Sequence, residues 1–226
     1  MTTFINCGKL GDMLMVLPIV SWWHRTHGEK PTLLLEDSFP YSRESKELLE
    51  LQPCVGKVEY FHREPAMITT PRRWFLDWKH RIDPESMKLD PRSTFALGFH
   101  RVPYAYIPQV YCDEFPGQLG YDGEFVLEIG EPDYTYRGKT VKVDKWEHPQ
   151  LANIPADAEL TGNTSLLKNL QYMAGADNVI LTTKGSAVAA TLAQIPCTVY
   201  CDPRLLEYHK QLWYKPTGCQ VEVKPL

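Results

Sequence analysis

The chain has 226 residues, 43% hydrophobic and 23% charged, with a formal net charge of −4. This is the composition of an ordinary globular protein with room for one large core or two small ones. It excludes a chain that coats nucleic acid by overall positive charge, though not one with a local basic groove, and no apolar run approaches the roughly 18 residues of a membrane span.

Met1-Thr2-Thr3-Phe4 lacks the basic start and apolar run of a secretory signal. The six cysteines are scattered; only Cys197 and Cys201 are close, on one face of a strand pattern. They read as buried thiols in a reducing, cytoplasmic compartment rather than as a zinc or disulfide framework.

Residues 2–7 are expected as a first strand. Gly8-Lys9-Leu10-Gly11-Asp12 then turns into a helix over residues 13–26, where Leu14, Leu17, Val20, Trp22 and Trp23 can share a broad apolar stripe. Gly28 and Pro31 close that helix, and residues 31–35 form a second, buried strand. Strand, glycine turn, helix and strand in this order make a βαβ unit with parallel strands. A helix over residues 42–52 and a strand over 55–61 follow.

Residues 64–101 differ in character. Arg72, Arg73, Trp74, Trp78, Lys79 and Arg81 combine cations with stacking surface, and Pro65, Pro71, Pro84 and Pro91 break the segment into short pieces. It reads either as an amphipathic cover of the N-terminal core or as a groove for a polyanion. Residues 102–118 read as loop plus edge strand, and a cluster of Pro, Gly and Asp over 116–123 sets a boundary between domains 1–118 and 119–226.

The second half restarts with strands over 125–130 and 139–143 and a short strand at 159–160. Thr164 or Ser165 caps a helix over 166–174 that Gly175 ends. Residues 179–203 then read as strand, turn, helix and strand, a second βαβ unit, with a terminal helix over 205–213 and a last strand over 219–223. The turn Thr182-Thr183-Lys184-Gly185-Ser186 aims backbone N–H groups and the positive end of a helix dipole at the sheet edge, which suits phosphate. The alternative for the turn is a solvated connection of the kind any α/β fold contains. The expected fold class is α/β, with two small Rossmann-like domains facing across a cleft and ligands at the strands' C-terminal ends.

Residues 5–18, INCGKLGDMLMVLP, resemble the opening of the heptosyltransferase-like glycosyltransferases (family 9), in which a Leu-Gly-Asp turn opens the first helix. Leu160-Thr161-Gly162-Asn163-Thr164-Ser165, Met173-Ala174-Gly175-Ala176-Asp177, Thr183-Lys184-Gly185-Ser186, Ile195-Pro196 and Tyr200-Cys201-Asp202-Pro203 follow that family's C-terminal order. The resemblance implies a reduced B-type glycosyltransferase architecture. It also implies inverting sugar transfer from a nucleotide diphosphate sugar, with neither cofactor nor obligatory metal. It makes Asp12 the candidate general base. Thr183, Lys184, Gly185, Ser186, Thr164, Lys9 and Gly8 become candidates for holding the donor; the middle of the chain does not match the family, and there the cations and rings of Arg72, Arg73, Trp74 and Trp78 are themselves the candidates for the acceptor, a phosphorylated glycan or a hydroxymethylated DNA base. The bland alternatives are a first-turn helix acid for Asp12, a capping residue for Thr164 and a surface lysine for Lys9. Asp144 and Glu147 read as surface acids or as ribose ligands. The chain departs from the family pattern at Thr183, where an acid usually stands, at Lys184, where Ser or Thr does, and at Val188, often a His.

Overall fold

The computed structural model describes residues 1–6, 10–37, 41–62, 93–102, 105–111, 125–143, 149–160, 164–210 and 218–226. The chain divides into two compact units, Met1–Phe125 and Val126–Leu226. The boundary expected over 116–123 lies outside the described residues.

The first unit is built on β1 (Thr3–Asn6), β2 (Thr32–Glu36), β3 (Lys57–Phe61), β4 (Thr94–Val102) and β5 (Ala105–Tyr111), in the spatial order β3, β2, β1, β4, β5. β1 pairs in parallel with both β2 and β4, β2 pairs in parallel with β3, and β5 closes the edge antiparallel to β4. The chain therefore leaves β1 toward β2 and β3, then returns to its other side at β4, and a sheet reverses direction where ligands bind in folds of this kind. The basic, Pro-broken stretch expected to run to residue 101 ends earlier, because 94–102 is a strand beside β1.

The first helical stretch starts at Leu10 rather than at residue 13 and comes in two pieces, α1 (Leu10–Met15) and α2 (Leu17–His27). The break falls at Val16, because Pro18 has no N–H to bond backwards and a proline ring fits only a helix's first turn. α2 buries Leu17, Ile19, Val20 and Trp23, and Trp23 meets Phe4 of β1 edge-on at 5.5 Å. Gly28 ends α2 at φ 68°, a left-handed conformation, with its N–H on the His24 carbonyl at 2.8 Å. The helix expected over 42–52 is likewise split, into α3 (Tyr41–Glu44) and α4 (Lys46–Glu50).

In the second unit the strands are β6 (Thr140–Val143), β7 (Ala158–Leu160), β8 (Asn178–Thr182), β9 (Cys197–Cys201) and β10 (Val221–Pro225), all parallel, in the order β10, β9, β8, β6, β7. Its direction reverses between β6 and β8. The helices are α5 (Leu166–Ala174), α6 (Gly185–Leu192) and α7 (Leu206–His209). Ser165, not Thr164, caps α5: its hydroxyl accepts from the Lys168 amide at 3.2 Å.

No strand forms over 125–130. Phe125 and Leu127 are buried and Val126 is exposed, an alternation that imitates a strand. The Leu127 amide instead bonds the last carbonyl of α6, on Leu192, at 2.9 Å, and Gln171 of α5 donates to Ile129 O at 2.9 Å. Gly175 follows α5 without a positive φ; glycine is needed there because a Cβ would lie 2.0 Å from the Asp133 carbonyl oxygen. Cys54, Cys197, Cys201 and Cys219 are free thiols, and burial pushes Cys197 up to about 12. No helix among the described residues is long and apolar enough to cross a membrane.

Candidate functional site

The turn that the sequence singles out lies at the C-terminal end of β8, beside the point where the second sheet reverses. Thr182 ends the strand completely buried, and its Oγ1 has no partner among the described residues. The Lys184 amide bonds the Thr182 carbonyl at 2.8 Å, which folds the chain sharply off the strand. Lys184 is the extended N-cap of α6, with no side-chain cap bond, and its carbonyl takes the first helical bond, from Val188 at 3.1 Å. Thr183, Lys184, Gly185 and Ser186 are half-buried, whereas Ala187 to Leu192 are all buried. A helix whose residues are mostly small and whose body is buried can approach the sheet closely, and this fixes the direction in which its first amides point.

Two other strands of this parallel sheet, β9 and β7, end at the same edge. β9 runs into Asp202, whose carboxylate accepts from Arg204 N at 2.9 Å and Nε at 3.0 Å. The Arg204 contact holds the Asp202 carboxyl down at about 2. β7 leads toward Thr164, exposed and hydrogen-bonded to Asn169 at the start of α5. β6 separates β7 from β8, so Thr164 follows a strand that does not adjoin the strand of the turn. Asp144 and Glu147, which follow β6, lie outside the described residues.

In the first unit the matching position is the C-terminal end of β1. Gly8 and Lys9 lie outside the described residues, as do Arg72, Arg73, Trp74 and Trp78. Asp12 is the third residue of α1, so the Leu-Gly-Asp sequence is the first turn of the helix rather than a loop before it.

Sequence reasoning missed three groups. Lys142, at the centre of β6 and 3% exposed, donates to the carbonyls of Leu151 at 2.8 Å and Ile154 at 3.1 Å and pairs with Glu159, its cross-strand partner. It thereby straps the 3-10 helix Pro149–Asn153 onto the sheet. The Asp202–Arg204 pair is the second, and a cluster of Asp37, Arg43 and His62 at the ends of β2 and β3 is the third. The signal available for the last two was a polar residue placed one position beyond a buried strand. No set of three or more His, Cys, Asp or Glu among the described residues could hold a metal ion.

No family model matches the chain, and no curated protein does. Its structure is similar to the crystal structure of the glycosyl transferase family 9 protein from Veillonella parvula DSM 2008, with a TM-score of 0.56 and 9% identity. The match covers 100% of this chain and 85% of that one. At this identity the likeness is one of fold: the chain has the Rossmann-like α/β fold of a glycosyltransferase family 9 structure.

Proposed function

We propose that the protein is an inverting, metal-independent glycosyltransferase that moves a sugar from a nucleotide diphosphate sugar to an acceptor hydroxyl. The observation that carries this reading is the position of the Thr183–Ser186 turn, at the strand end beside the second sheet's reversal and opening a buried small-residue helix. First-turn amides and the Lys184 ammonium there would hold the diphosphate and stabilise the leaving group as the glycosidic bond breaks. Gly8 and Lys9 are further candidates for contacting the donor. Asp12, in the first turn of α1, is the acid that the sequence resemblance makes the base, acting on the hydroxyl as bond formation acidifies it. A phosphorylated glycan or a hydroxymethylated base in DNA suits the cations and aromatic rings at Arg72, Arg73, Trp74 and Trp78.

One observation favours a second reading, a binding protein that does not turn its ligand over. Val188 stands where the resembled family often has a His, and it is 3% exposed. That position offers no polar group to a donor sugar.

Thermal unfolding against UDP, GDP, ADP, CMP, TDP and their common sugar conjugates tests both readings. A ligand at 100 times its Kd adds about 2.7 kcal/mol, several degrees for a chain of this size. One nucleotide should raise the midpoint and lose that effect in Lys184→Ala. Turnover with that donor, diminished in Asp12→Asn at unchanged donor binding, separates the enzyme from the binder. A flat panel removes both.

A further inference from the structure

β8 and β9 are parallel neighbours in the second unit's sheet, and their register sets Thr182 opposite Tyr200. Two positions beyond that pair, each strand's continuation reaches a residue that turns the chain. One is Lys184, the N-cap of α6, and the other is Asp202, the N-cap of the 3-10 helix Pro203–Leu205. The two strand ends are therefore one strand spacing apart, about 4.8 Å. At the foot of the first is Thr182 Oγ1, completely buried and with no partner among the described residues. A hydroxyl in that state carries a desolvation cost that a polar group bound at the strand end would offset.

The second strand end carries a guanidinium held in one pose. Asp202 Oδ1 accepts from the Arg204 amide at 2.9 Å and from its Nε at 3.0 Å, and Oδ2 accepts from NH2. Backbone and side chain of Arg204 are thus tied to the same carboxylate, in the manner of an Asx turn. An arginine has five N–H donors in a planar fork. Asp202 takes the Nε–H and one N–H of NH2, which fills one edge of that fork. The opposite edge, made by NH1 and the other N–H of NH2, meets no acceptor among the described residues, and the side chain is 87% exposed. Two parallel N–H groups on such an edge match two oxygens of a phosphate. An exposed pair of this kind contributes little to stability; its consequence is that the free edge has a fixed place next to the α6 turn.

We propose that Arg204 is the second anchor of the donor's diphosphate, with Asp202 as its positioning residue. The α6 turn takes one phosphate on its first amides, and the free edge of the Arg204 guanidinium takes the other. The inference rests on the donor-binding part of the sugar-transfer reading and lies wholly within the second unit. It adds to that reading a reason for the ligand class. A diphosphate carries charge on both phosphates, and the amides of one helix N-terminus suit one of them. Arg204 supplies a permanently charged partner for the second, one strand over. A monophosphate needs the turn alone.

The test is calorimetric titration of the full chain. The probes are the nucleoside diphosphate that the unfolding panel selects, its monophosphate, inorganic pyrophosphate and inorganic phosphate. The wild type should bind the diphosphate about 10- to 100-fold more tightly than the monophosphate, the worth of one charged hydrogen-bonded contact, and pyrophosphate more tightly than phosphate. Arg204→Met should lose that preference and keep the monophosphate Kd. Its urea unfolding without ligand should match the wild type, which shows that the variant is folded. Arg204→Lys should recover only part of the preference, because an ammonium is a point charge without the fork. Asp202→Asn can still cap the turn but cannot accept from the guanidinium through its amide nitrogen, so it should fall between the wild type and Arg204→Met. An Arg204→Met variant with the wild-type preference overturns the proposal and leaves the donor reading standing, and so does one that loses monophosphate and diphosphate affinity equally. A wild type that binds neither the nucleotides nor pyrophosphate overturns donor reading and proposal together.

Discussion

The two units solve the same problem with different materials. Each sets a helix after a central buried strand. In the first unit the helix is made of bulky residues, Met13, Leu14, Leu17, Ile19, Val20 and Trp23, and is broken at Val16. In the second it is GSAVAATL, unbroken, with everything from Ala187 to Leu192 buried. Bulky side chains hold a helix away from the sheet and fill the gap, whereas small ones let the backbones close up. The polar groups follow suit. At the first unit's edge they are side chains reaching across strand ends, Asp37 to His62 and Arg43; at the second unit's edge they are backbone amides together with the short Asp202–Arg204 loop. One edge gathers charged side chains and the other backbone donors.

The sharpest way to break that contrast is to loosen one core at a time. Leu181→Ala, at a completely buried position of β8, should cost about 2–5 kcal/mol in urea unfolding and remove nucleotide-induced stabilisation. Leu14→Ala, equally buried in α1, should cost a similar amount and spare the nucleotide effect. Equal loss of ligand response in both variants would mean that the two edges are not separately built.

Gly175→Ala tests the closeness of the second unit directly. Its Cβ would collide with backbone rather than with a flexible side chain, so about 1–3 kcal/mol of stability should go. A neutral result would mean that the 127–133 segment is free to move off α5. Lys142→Met keeps the length of the side chain but strips the donors from two carbonyls and removes the ion pair to Glu159. A loss of about 1–3 kcal/mol is expected, and a Met variant as stable as the wild type would show that the strap over β6 holds without its polar bonds.

The smallest effect expected is electrostatic. Asp133, bonded to Lys168 and Thr135, and Asp202, bonded to Arg204, are both held down at about 2 from 3.8. A depressed carboxyl contributes stability that is complete above its unfolded value and is lost as pH falls through the folded one. Acid unfolding followed by circular dichroism should therefore steepen between about pH 4 and pH 2, and Lys168→Met with Arg204→Met should flatten that limb. Both carboxylates are at the surface, so salt should flatten it too.

How much of this was legible in the chain differs by element. Residues 179–203 declared strand, turn, helix and strand through an apolar run, a glycine after a polar turn, and an Ala-rich stretch, and β8, α6 and β9 are there. Gly28 and Ser165 act where local capping chemistry put them. Residues 125–130 misled, because alternating burial is common to a strand and to an extended segment lying on helix ends, and only the partner of the Leu127 amide distinguishes them.

What the sequence determined by itself is therefore local. Apolar runs and their periods chose the elements, glycine and proline chose most breaks, and the strand-to-helix turn between β8 and α6 was placed before any contact was known. The tertiary structure alone decided the neighbours. That β8 lies against β6 rather than β7 creates the reversal beside that turn. That β2 lies against β3 brings Asp37 within 3.0 Å of a histidine 25 positions away. Side-chain chemistry is written residue by residue, but strand order depends on which buried faces satisfy one another across the whole unit, and no window of the chain contains that information.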